Sequence, residues 1–116
     1  MNFIFHELKG KKTAELPKGE MKINDVEDAV NLLGNADYLG ASMIILYKDD
    51  LPENFFRLSS GLAGDILQKF SNYRKQLAIV GDFSNIESKS LRDFIYESNK
   101  TGNILFVNSL EEALSI

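Results

Sequence analysis

Two kinds of apolar pattern alternate along the chain. Val26, Ala29, Val30 and Leu33 recur at i, i+3, i+4 and i+7, the stripe of a helix with one buried face. Leu62, Ala63, Ile66, Leu67 and Phe70 repeat it, with Asp65, Gln68 and Lys69 turned outward, and Leu91, Phe94 and Ile95 begin a third stripe. Between them lie the unbroken apolar runs Ser42–Tyr47, Leu77–Val80 and Ile104–Val107. Such runs are too continuous for strands with one wet face and predict sheet interior covered on both sides.

Polar punctuation sets the boundaries. Asn2–Leu8 and Lys12–Leu16 flank Lys9-Gly10-Lys11 and predict a hairpin. Asn24 with Glu27 forms a capping pair for the first helix, and Gly34-Asn35 is its expected end. Asp50 with Glu53 suggests a second cap, with Pro52 tolerated in the first turn of a short helical segment running to Phe56. The second helix is expected to start at Ser59 or Ser60, and its Gly61 and Gly64 to mark close approach of backbone to the sheet or a partner. Ser88 or Ser90 caps the third helix, which Asn99 to Gly102 closes; Ser109 with Glu112 caps a last short one. The fold class is therefore α/β: one layered domain over 1–116, a five-stranded mixed sheet with an N-terminal antiparallel hairpin, and four helices. Leu62, Ile66, Phe70, Phe94 and Ile95 are its expected helical core.

Charge and composition narrow the functions. A chain of 116 residues with 44% hydrophobic content builds one core. The net charge of −4 argues against nucleic acid or anionic lipid as a partner, since both need a basic face. Lys9, Lys11 and Lys12 are the only basic concentration and read as turn decoration. No cysteine is present, which excludes thiolate catalysis, and no apolar stretch reaches the roughly 20 residues of a membrane span. With no leader pattern at the start, a cytoplasmic location is the expectation.

Candidate chemistry is sparse. The single histidine, His6, has no second His or any Cys near it and reads as a plain strand residue. No catalytic constellation, metal-ligand spacing or phosphate cradle occurs, so no catalytic residue, metal or cofactor is assigned, and the chain reads more as a binding module than as an enzyme. Asp49, Asp50 and Asp82 follow strands, on the rim where α/β folds hold ligands; converging there, they would bind a divalent metal or small molecule. As loop acids and a cap they are equally ordinary. Ser59 and Ser60, with Arg57 one turn away, are the alternative candidates: a hydroxyl at a helix start can cap it or carry a phosphate. Tyr38, Tyr73 and Tyr96 read as rim residues of the core that could also anchor a partner.

Two resemblances follow from these residues. Ser59-Ser60-Gly61-Leu62, the amphipathic helix after it, the strand Leu77–Val80 and Ser-Leu-Glu-Glu-Ala-Leu at 109–114 resemble the second half of STAS domains, found in anti-sigma-factor antagonists and sulphate transporters. That resemblance implies a regulatory protein-binding module whose phosphorylated serine maps onto Ser60, with Leu58 where that family has an aspartate. The string Phe55–Phe83 and Leu91-Arg-Asp-Phe-Ile-Tyr-Glu-Ser-Asn99 is similar to an uncharacterised bacterial family, domain of unknown function forty-one-eighty. It implies no activity.

Overall fold

The computed structural model describes Met1–Ile116. Its elements run β1 (Ile4–Leu8), β2 (Lys11–Glu15), α1 (Val26–Tyr38), β3 (Met43–Tyr47), α2 (Leu62–Asn72), β4 (Gln76–Val80), α3 (Lys89–Thr101), β5 (Ile104–Val107) and α4 (Leu110–Leu114), with three 3₁₀ turns between β3 and α2. The five strands lie in sequence order, β1 antiparallel to β2 and the rest parallel. This is the mixed sheet, hairpin and four-helix arrangement the pattern predicts.

Strand alternation divides the interior into two layers. Ala14, Leu16, Ile44, Leu46, Leu77, Ile79 and Phe106 meet Leu32, Leu33, Ala63, Ile66 and Phe70 of α1 and α2. Met43, Ile45, Ala78, Val80, Leu105 and Val107 face the other way and are covered by α4 through Ala113, Leu110 and Leu114. Strand order in sequence with right-handed crossovers sends α1, α2 and α3 to one face. The short α4 is left to cover the other, and it reaches only part of the way towards β1.

Several boundaries differ from the pattern's prediction. The α1 cap is Asp25, whose side chain accepts from the Asp28 N–H at 2.9 Å while Asp28 accepts from the Asn24 N–H at 2.9 Å, so the capping box sits one residue later than Asn24 and Glu27. The helix also runs through Gly34-Asn35 to Tyr38, because one more turn buries Ala36 completely. On α2, Ile66 and Phe70 are core but Leu62 and Leu67 are half-buried; on α3 only Leu91 is buried. Phe94 and Ile95 are half-covered because α3 packs over the edge strand β5, where the layer ends. Ser88 caps α3, accepting from the Leu91 N–H, and Ser109 caps α4. Glu112 returns its bond to the Asn108 N–H.

Candidate functional site

Leu58–Ser60 forms its own 3₁₀ turn, and α2 begins only after Gly61, whose φ of 80° lies where a side chain would be strained. Neither serine is therefore the residue immediately before the helix. The Ser60 hydroxyl donates to the Asn54 carbonyl and accepts from the Leu62 N–H at 3.2 Å, tying the start of α2 to the loop before it. Both serines are exposed, but the Ser60 oxygen is engaged in the loop, and it is Ser59 that faces a cleft. With Phe56, Arg57, Leu58, Ser88 and Ser90 it lines a shallow cleft of about 410 Å³ where the starts of α2 and α3 converge. Arg57 and Ser59 thus share one surface, while Ser60 turns its oxygen into the loop.

An aromatic chain holds this edge. Phe55 meets Phe56 with ring centroids 5.0 Å apart, Phe56 meets Phe83 at 6.3 Å, and Phe83 and Phe94 both meet Phe106 of β5, at 5.2 and 6.1 Å. All but the tilted Phe56–Phe83 pair are edge-to-face, a contact that fixes ring orientation as well as burying area. The serine loop is anchored to the sheet through side chains rather than hanging free. The two glycines have no packing role: a Cβ on Gly61 or Gly64 would meet nothing within 4 Å. The close approach is at Gly81, where a Cβ would stand 2.5 Å from Lys48 Cβ.

The three acids part company. Asp49 and Asp82 line a cleft of about 370 Å³ at the ends of β3, β4 and β5, together with Lys18, Tyr47, Lys48 and Asn108. Asp50 does not join them. It is 2% exposed, accepts from the Gly19 N–H at 3.0 and 3.2 Å and lies 3.5 Å from Lys22 Nζ, so it braces the loop between β2 and α1 rather than capping a helix. Asp49 pairs with Lys18 at 3.0 Å, and that lysine holds its carboxyl below the usual carboxylate range. Asp82 is lowered as well, by the hydroxyl and N–H of Ser84. Lys48 bridges the cleft wall, donating to the Asp82 carbonyl at 2.7 Å with its Nζ 5.1 Å from the Phe83 ring centroid. No three His, Cys, Asp or Glu side chains gather in a geometry fit to hold a metal ion.

One polar cluster lies outside the sequence reading. His6 is not a lone strand histidine: its Nε2 lies 2.9 Å from Glu15 Oε1, and the Tyr47 hydroxyl donates to Glu15 Oε2 at 2.8 Å. Glu15 is 6% exposed, so a nearly buried carboxylate has both oxygens engaged on the sheet face that α4 covers only in part. Burial and then the Glu15 bond and charge push the Tyr47 hydroxyl up to about 12. Of the tyrosines singled out from sequence, Tyr73 packs against the core as expected, while Tyr38 and Tyr96 stand exposed.

The family model described as Domain of unknown function (DUF4180) matches residues 8–116. The chain belongs to this family. No curated protein and no solved structure matches it. No helix is long and apolar enough to cross a membrane.

Proposed function

We propose that this member of the family works by binding a protein partner, as a STAS-like regulatory module without chemistry of its own, and that the start of α2 is the contact edge. The observation that carries this reading is the cleft shared by Arg57, Ser59, Ser88 and Ser90, on a loop pinned by the aromatic chain. It is exposed, preorganised and rich in hydroxyls beside a cation. The separate engagement of Asp49, Asp50 and Asp82 favours binding over catalysis, because acid–base work needs groups converging on one reacting atom. A phosphate on Ser59 or Ser60 would add roughly −1.5 to −2 charges beside Arg57 and the helix start, and would repel an acidic or apolar partner face without moving the backbone.

The test is affinity capture from the lysate of the native cell with the wild-type chain, Ser59→Asp, Ser60→Asp and Ser60→Ala, together with mass spectrometry of the native protein for phosphoserine. One partner held by wild type and Ser60→Ala but released by an aspartate variant is the expected result. Equal recovery by all four folded proteins, with both serines unmodified, refutes the reading. A second reading, a small-molecule site, draws on the cleft that Lys18, Tyr47, Lys48, Asp49, Asp82 and Asn108 line at the strand ends. It predicts thermal stabilisation by a ligand that is abolished by Asp82→Ala.

A further inference from the structure

The sheet has an open edge with an unusual composition. β1 ends the sheet, and its register with β2 runs without a bulge from Ile4 opposite Glu15 to Leu8 opposite Lys11. The strand itself contains neither lysine nor proline, the residues that commonly blunt such edges. Ile4 is 48% exposed, Phe5 39% and Leu8 45%. Leu39, just after α1, lies on the Phe5 side of the strand, because Lys12 lies over the Phe5 ring at 4.4 Å while donating to the Leu39 carbonyl.

From this edge we infer that the protein self-associates: β1 pairs antiparallel with β1 of a second copy about a two-fold axis at His6, continuing the sheet across both molecules. The backbone sets the parity. Lys9 and Gly10, with φ of 56° and 76°, form a two-residue turn, which makes Leu8–Lys11 a hydrogen-bonded pair. Ile4, His6 and Leu8 then direct their N–H and C=O groups to β2, and Phe5 and Glu7 direct theirs outward. A two-fold at His6 sets outward Phe5 against outward Glu7 of the second copy, and such a pair exchanges both backbone bonds.

The side chains agree with that register. On one face Ile4 meets Leu8 of the second copy, each covering the other's exposed apolar surface, and symmetry supplies the contact twice. On the opposite face Glu7 of the second copy comes beside Phe5, whose ring carries the Lys12 ammonium, so acid meets cation. At the axis His6 meets its symmetry mate, each ring bonded to its own Glu15; moving the axis to Glu7 sets two carboxylates against each other with no such partner, and moving it to Phe5 leaves Ile4 against His6. Self-complementarity of this kind is what an isologous interface requires, and it selects a second copy over an unrelated strand. The inference stands apart from the serine edge, which packs against β5 at the far side of the sheet.

Because the chain has no cysteine, Ile4→Cys/Leu8→Cys introduces the only thiols. Four residues apart on one strand, they stand roughly 13 Å from each other, beyond the ~7 Å that a disulfide spans, so only a second copy can bridge them. The expected result is a covalent dimer on mild oxidation, with mass spectrometry joining positions 4 and 8. In sedimentation the wild type should run as a dimer and Ile4→Lys as a folded monomer. Ile4→Lys/Leu8→Glu should restore the dimer by pairing opposite charges across the axis. A wild type that sediments as a monomer, or a dimer that survives Ile4→Lys and forms no 4-to-8 disulfide, overturns the inference.

Discussion

Replacing Glu15 separates two effects that the His6–Glu15–Tyr47 cluster combines. Glu15→Ala removes an acceptor from both partners and leaves a void beside Ile45 and Thr13 on the covered face. Hydrogen bonds to a charged group contribute about 1.5–3 kcal/mol each, but His6 and Tyr47 are only half-buried and can recruit water, and the desolvation of the carboxylate is relieved. The balance is a loss of about 2 kcal/mol, near 8 °C in melting temperature for a chain of this size. Glu15→Gln fares better, since its amide oxygen accepts from Tyr47 and its amide N–H donates to the imidazole, for a loss below about 1 kcal/mol. Tyr47 gives an independent readout. Its folded value of about 12 lies above the unfolded 10.0, so its contribution is fully present below pH 10 and is lost as pH rises through 12. The rise from 10.0 to about 12 corresponds to at most about 3 kcal/mol, which solvent screening at a half-exposed phenol reduces to about 1 kcal/mol. In Glu15→Gln the carboxylate's share disappears and the share due to burial stays, so the phenol should titrate between those two values. Denaturant melts at neutral pH and spectroscopic titration of the tyrosines measure both. Equal stability of Glu15→Ala and wild type, with Tyr47 titrating unchanged, would refute this account of the cluster.

Gly81→Ala should destabilise by about 1–3 kcal/mol, because its Cβ would stand 2.5 Å from Lys48 Cβ, which the backbone holds in place. Lys48→Ala keeps that Cβ and should give no relief in combination, whereas Lys48→Gly should; denaturant midpoints of the two double variants decide it. Ile45→Asp places a carboxylate at a fully buried position and should cost several kcal/mol, enough to unfold a marginal domain. Leu67→Asp, at a half-buried site, should cost markedly less, and equal losses in thermal melts would contradict the layer assignment.

What the sequence could and could not reveal follows the range of the interactions. The interior strands were legible because burial on both faces writes itself locally, as unbroken runs such as Met43–Leu46. The capping serines of α3 and α4 were legible for the same reason, since cap and partner lie three residues apart. Asp50 was not: in sequence it resembles a cap, yet its partner is the N–H of Gly19, thirty-one positions away, and only the packing of the two loops brings them together. The His6–Glu15 pair lies between these cases. A two-residue turn at Lys9-Gly10 fixes the hairpin register, which sets His6 opposite Thr13 and diagonal to Glu15, so a strict reading of the hairpin contained that contact. Tyr47 completes the cluster only through the parallel register of β2 on β3, with Glu15 beside Ile45, and that alignment depends on how α1 spans the crossover. The same logic explains Ser59 and Ser60. Hydroxyl chemistry at the start of α2 was visible, but which oxygen faces outward was decided by the left-handed Gly61 and by the Asn54 carbonyl that claims Ser60. On the partner-switch proposal, Ser59 is the serine whose phosphorylation would disturb the fold less, because a phosphate on Ser60 must first give up the bond that closes its own loop.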